Sequence, residues 1–165
     1  MKLLYYPHEF LNREMKTVDL ENPSFDPTKL KKDMIDFMLE NNGIGLAANQ
    51  VGIDAKVFVF GDSNNNATMC INPTVLQYTS ETQTEIEGCL SFPNTYVKIK
   101  RPKEILAQFW NENLEECVVK ITGYSAAVYL HEMDHTLGIT IKDRVSNLKW
   151  DIATRKAQKL EKNHA

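Results

Sequence analysis

Tyr129-Leu130-His131-Glu132-Met133-Asp134-His135-Thr136-Leu137-Gly138 carries an H-E-x-x-H pattern inside an apolar run. On an α-helix two histidines four apart differ by about 40° in azimuth and about 6 Å in height, so both imidazoles can reach one ion. Glu132 stands beside them, where a carboxylate can take a proton from a metal-held water. Around this stretch the spacing predicts a helix from about Thr122 to His135, ended by Gly138. On its wheel Tyr124, Ala127 and Val128 lie within about 60° of His131, and Ala126, Tyr129, Leu130 and Met133 cover the other side. A helix apolar nearly all round is a buried one, and burying its polar residues unpartnered would be costly. A bound cation would offset that cost; a pair of hydrogen-bonded core histidines is the alternative reading.

Working outward, Asp26 and Pro27 make an N-cap and first helical position. Leu30, Met34, Phe37 and Met38 then recur at helical spacing up to Asn41-Asn42-Gly43. Before that helix, three proline breaks point to an extended or looped arm with uninformative local chemistry. Lys56 to Phe60, Cys70 to Tyr78, Val97 to Arg101, Glu104 to Trp110 and Glu115 to Ile121 read as strands, the last two forming a hairpin. A final amphipathic helix from about Asn147 to Glu161 carries Leu148, Ile152 and Leu160 among lysines. The expected fold is α+β: small antiparallel or mixed sheets packed around a central buried H-E-x-x-H helix, with an N-terminal and a C-terminal helix. Residues 1–165 are expected to form a single catalytic domain, because no linker or repeat interrupts them.

The bulk composition excludes several classes. A net charge of -3 and a pI near 5.8 argue against a specific DNA binder. No apolar run approaches the roughly 20 residues a spanning helix needs, and the start lacks a signal segment, so a cytoplasmic protein without membrane association is expected. The three widely spaced cysteines do not form a disulfide framework. Cys70 reads as a small core residue and Cys117 as a strand residue. Cys89 differs, because Gly88 and Pro93 bracket it on a constrained turn that could present a thiol.

The pattern on the helix lacks a third ligand. Zinc proteases with H-E-x-x-H take theirs downstream, yet the metzincin position here is Ile141, Glu161 lies in a polar tail without the thermolysin-like surroundings, and His164 is next to last. The ligand is therefore sought upstream, where Cys89 is the best candidate; one thiolate and two imidazoles make a tetrahedral set with an open position. Gly43-Ile44-Gly45-Leu46-Ala47-Ala48-Asn49-Gln50 alone reads as a tight helix-to-strand connection.

These three stretches, the glycine-rich one, Glu87-Gly88-Cys89-Leu90-Ser91 and His131-Glu132-Met133-Asp134-His135, resemble the three motifs of the peptide deformylases in order and separation, within a similarity running from about Leu3 to Lys149. The resemblance implies a metal-dependent hydrolase that removes the N-formyl group from the initiator methionine of nascent polypeptides and releases formate. A metallohydrolase of the same fold acting on another N-acyl peptide is the alternative. It implies Cys89, His131 and His135 as ligands of one divalent ion, Fe2+ in the cell with Zn2+ or Ni2+ as substitutes. It further implies Glu132 as the proton carrier, and the Gln50 amide and Leu90 N–H as oxyanion donors. Ile44 and Gly45 would hold the peptide as an added strand, and Ile44, Tyr124, Ala127, Val128 and His131 would line a methionine pocket. Glu87 and Arg101 are expected to support the site, and Asp134 to accept a structural hydrogen bond. Departures from the family pattern are Leu130, Thr136 and Phe92, the last expected to narrow or rim the substrate entrance. The basic C-terminal helix, with Lys149, Arg155, Lys156, Lys159 and Lys162, reads as a solvated face or as a transient ribosome contact.

Overall fold

The computed structural model describes residues 1–164; the side chains of Glu161, Asn163 and His164 lie outside the described residues, and with them two of the downstream side chains set aside as ligands. Helix α1 spans Pro27–Glu40. The Asp26 carboxylate accepts the Lys29 N–H at 3.0 Å, satisfying an amide left free at the helix start. The buried face of α1 is Leu30, Met34, Ile35 and Met38, with Phe37 half-buried beside it.

Strands β1 (Gly45–Ala47), β2 (Val57–Phe60), β3 (Thr68–Tyr78), β4 (Thr82–Cys89), β5 (Phe92–Pro102), β6 (Glu104–Trp110) and β7 (Glu116–Thr122) follow, with a 3-10 turn over Ala48–Val51. They form a five-stranded sheet in the order β1-β2-β3-β6-β7 and a separate hairpin of β4 and β5, all pairings antiparallel. Helix α2 (Gly123–Thr136) lies on the larger sheet, and α3 (Asn147–His164) covers β5.

Tyr129 shows why α2 sits where it does. Its ring meets Phe58 and Phe60 edge-on at 5.0 and 5.9 Å, and its hydroxyl donates to the Thr74 carbonyl at 3.1 Å. With Ala126 and Leu130 it fills a core shared with Ala47, Ile105, Ala107 and Phe109. Burying a large apolar side chain contributes about 1.5–3 kcal/mol, so this face is held firmly and the His131 side is left toward β4 and the first residues of the chain.

Three elements differ from the expectation. Strand β4 carries no strand signal in the sequence, because Thr82-Gln83-Thr84-Glu85-Ile86-Glu87 is polar and its one large apolar residue, Ile86, is 60% exposed. Its partner β5 starts at Phe92 rather than Val97. On α3, Trp150, Ala153 and Ala157 pack inward, while Leu148 and Ile152 are 71% and 60% exposed. The arm before α1 is built into the core: Leu3, Leu11, Met15 and Val18 are buried. Its close approach to the end of α2 needs Gly138, at φ +72, where a Cβ would lie 2.7 Å from the Arg13 backbone.

Candidate metal centre and substrate cleft

The last turns of α2 carry His131, Glu132 and His135, and the end of β4 brings Cys89 to them. The two imidazole centroids are 5.1 Å apart, and Cys89 Sγ lies 3.2 Å from His135 Nε2. Ligand atoms of all three residues lie within 4.8 Å of one another. One soft thiolate and two imidazoles suit a first-row transition metal. A buried orphan atom supports the fit, because Glu132 Oε2 is fully enclosed and has no hydrogen-bond partner.

His131 is oriented from behind. Its Nδ1 is 2.9 Å from Glu87 Oε2, which leaves Nε2 for the Cys89 side. Glu87 accepts two bonds from the Arg101 guanidinium, at 2.5 and 2.8 Å, and Arg101 also donates to Asp134 at 2.9 Å. Arg144 closes the chain by gripping both Asp134 oxygens. Burial would push the Glu87 carboxyl up, but the bonds from Arg101 and His131 outweigh it and hold the group at about 2. Sequence alone pointed to Glu87, Arg101 and Asp134 as supporting residues; Arg144 was missed, since nothing in its local pattern marks it.

Glu132 is the opposite case. Burial pushes its carboxyl up to about 7, with Glu87 and Asp134 adding to the rise and His131 and Arg101 opposing it. Its Oε1 lies against Gly45, where an added Cβ would come within 2.2 Å. The Gly45 hydrogen is therefore part of the wall around the carboxylate.

Gln50 is fixed by both ends of its amide. Oε1 accepts the Ala47 N–H at 2.8 Å, so Nε2 faces Ser91 Oγ at 3.1 Å and Cys89 Sγ at 3.4 Å. Asn49 and Ser91 stand inside the quoted motifs, but their residue types alone carry no signal of a role. Asn49 is fully buried and donates to the His135 carbonyl at 2.8 Å, tying the glycine-rich segment to α2.

A cleft of about 580 Å³ opens over this centre. Ile44, Gly45, Gln50, Leu90, Tyr124, Ala127, Val128, His131 and Glu132 all line it, so the sequence-predicted site residues meet on one surface, with His135 behind Cys89. Ile86 and Tyr96, unforeseen, form an exposed apolar rim. Phe92 touches the cleft but is only 5% exposed, because it stacks on Tyr6 at 4.9 Å and meets Trp150 edge-on. It anchors the floor rather than narrowing the entrance. Leu130 is a core residue, and the Thr136 hydroxyl donates to the Met133 carbonyl at 2.7 Å, so both departures are structural.

The sequence pattern of the polypeptide deformylase family matches residues 1–150. The peptide deformylase of Fusobacterium nucleatum is 34% identical over 161 residues, covering 98% of this chain and 92% of that one. The Thermotoga maritima peptide deformylase is 43% identical over 116 residues, 70% of each chain. Among solved structures, the Legionella pneumophila peptide deformylase superimposes with a TM-score of 0.88 at 28% identity, over 99% of this chain and 96% of that one. The Thermotoga maritima peptide deformylase structure gives 0.80 at 37% identity, over 88% and 97%.

Proposed function

This chain belongs to the polypeptide deformylase family, and from that premise we propose that Cys89, His131 and His135 hold one divalent ion and that Glu132 carries the proton. The reaction is hydrolytic removal of the N-formyl group from the initiator methionine of nascent polypeptides, with release of formate. The ion we assign in the cell is Fe2+, with Zn2+ or Ni2+ as substitutes, a range that the thiolate and imidazole set accommodates. When bound, such an ion acts as a Lewis acid and lowers the pKa of a bound water.

The protein's own groups do the rest. Glu132, held near neutrality by burial, takes a proton and returns it to the leaving amine nitrogen. Gln50 Nε2, pinned by the Ala47 N–H, and the Leu90 N–H donate to the oxygen that gains charge, each worth roughly 3 kcal/mol. The peptide main chain lies along Ile44 and Gly45, where β1 is the outer strand of its sheet and so offers an edge for strand addition. Ile44, Tyr124, Ala127, Val128 and His131 take the methionine side chain. Main-chain recognition leaves later residues of the nascent chain largely unselected. The observation that carries this reading is the enclosed, unpartnered Glu132 oxygen beside three convergent ligand atoms.

Gly45→Ala tests the geometry. The added methyl displaces the Glu132 carboxylate, and a shift of about 1 Å can cost on the order of a hundredfold in rate. The expected result is that loss in formate release at unchanged metal content; a variant with the parent rate would contradict the placement of Glu132.

Residues 1–165 act as one catalytic unit in the cytoplasm, where nascent chains emerge; among the described residues no helix is long and apolar enough to cross a membrane. Helix α3 makes a transient ribosome contact, a reading supported by exposed Lys149, Arg155, Lys156, Lys159 and Lys162 beside exposed Leu148 and Ile152. Co-sedimentation with ribosomes should fall with rising salt and on changing Lys149, Arg155 and Lys156 to glutamate; binding indifferent to both would remove it.

A further inference from the structure

Gln50 and Leu90 belong to segments far apart in sequence, yet both must aim at one oxygen. Residues 3–6 connect the two. The Leu4 N–H donates to the Gln50 carbonyl at 2.7 Å, and two residues later the Tyr6 N–H donates to the Ser91 carbonyl at 3.0 Å. At the alternate positions, Leu3 and Tyr5 line the cleft itself.

The far end of this strap is anchored by aromatic packing. The Tyr6 ring stacks on Phe92 at 4.9 Å and 23° and meets Trp150 of α3 edge-on at 6.3 Å. Lys142 donates to the Tyr6 hydroxyl at 2.7 Å and lies over its ring. Phe92 is the residue after Ser91, so the stack and the backbone bond fix the same turn that carries Leu90. The two donor segments also touch directly: the Gln50 amide reaches Ser91 Oγ and Cys89 Sγ, and the Leu90 side chain packs against the apolar cluster that holds Leu46 and Ala48.

We propose that residues 3–6 brace the oxyanion site by fixing the Gln50 segment, through the Leu4 N–H, and the Leu90 turn, through Tyr6, relative to one another, so that both donors converge on one oxygen and Tyr6 acts as a positioning residue for the hydrolysis. The proposal rests on Gln50 and Leu90 being the oxyanion donors. Donors work when held about 2.7–3.1 Å from the place the charged oxygen will occupy, so a brace between them affects turnover more than substrate binding.

The test compares Tyr6→Ala, Tyr6→Phe, Gln50→Ala and the Tyr6→Ala/Gln50→Ala double variant as metal-loaded full-length protein, with kcat, KM and bound metal measured for each. Tyr6→Ala should lower kcat about tenfold while KM and metal content stay within about twofold, as expected for a small misplacement. Tyr6→Phe, which keeps the ring stack and the backbone bond, should restore most of the rate. In the Gln50→Ala background the Tyr6→Ala loss should shrink below about threefold, because residues acting as a unit are not additive. An unchanged kcat in Tyr6→Ala, a loss that multiplies fully in the double variant, or a loss explained by departed metal would overturn the brace. A parent-like kcat in Gln50→Ala would instead overturn the donor assignment beneath it. Should Tyr6→Ala fail to fold, Leu4→Pro removes the N–H bonded to Gln50 and is read by the same criteria.

Discussion

Exchanging Glu132 for glutamine lowers kcat for formate release by about a thousandfold and leaves the bound metal in place, the scale on which a positioned general base contributes. Glutamine keeps the shape of the side chain and its contact with Gly45 but cannot accept and return a proton. The carboxylate is suited to that duty by its surroundings. Burial brings it up to about 7, so that it binds and releases a proton near neutral pH, and Oε2 is not committed to any other group. Metal analysis and steady-state kinetics on the same preparation check the prediction. Retention of more than about a tenth of the parent rate at full metal loading would assign the proton transfer elsewhere.

Cys89→Ala has an effect of a different kind, on the ion rather than on the proton. Catalytic sites of this type hold the metal with three protein ligands, and removing one leaves a histidine pair on a single helix. Loss of an outer partner of a ligand already costs about 10–100-fold in affinity, so loss of the thiolate itself is expected to exceed that range. The variant should purify without stoichiometric metal and release no formate, and its ion should pass to a chelator far faster than in the parent. Stoichiometric metal held as tightly as before would show that Cys89 is not a ligand.

The central helix was legible because two periodicities coincide on it. Ala126, Tyr129 and Leu130 recur at the spacing of a buried face, and they do fill the core beneath the larger sheet. The same wheel placed Tyr124, Ala127 and Val128 with His131, and all four line one cleft. Cys89 was legible through its glycine and proline neighbours; it is the last residue of a strand, and the constrained turn itself is made by Leu90 and Ser91. That strand was hidden because β4 is held by its ladder to β5, a tertiary pairing that a polar sequence does not announce.

The inward face of α3 was hidden for a related reason. Leu148 and Ile152 look like the apolar stripe, but the surface available beside β5 accepts the Trp150 ring with the small Ala153 and Ala157, and the larger aliphatics turn outward. The role of the first residues was invisible because it is carried by backbone N–H groups, which every residue but proline possesses. Only the juxtaposition of Leu4 with Gln50 and of Tyr6 with Ser91 reveals it.

The most direct measurement is formate release from a formyl-methionyl peptide by iron-loaded protein prepared without oxygen, with the acetyl-methionyl peptide run in parallel. A formyl group carries only a hydrogen on its carbonyl carbon, whereas an acetyl group carries a methyl that needs further room beside the reacting centre. Rapid, metal-dependent formate release with negligible acetate is the predicted result. No formate from fully metal-loaded protein, or equal hydrolysis of the acetyl peptide, would contradict it.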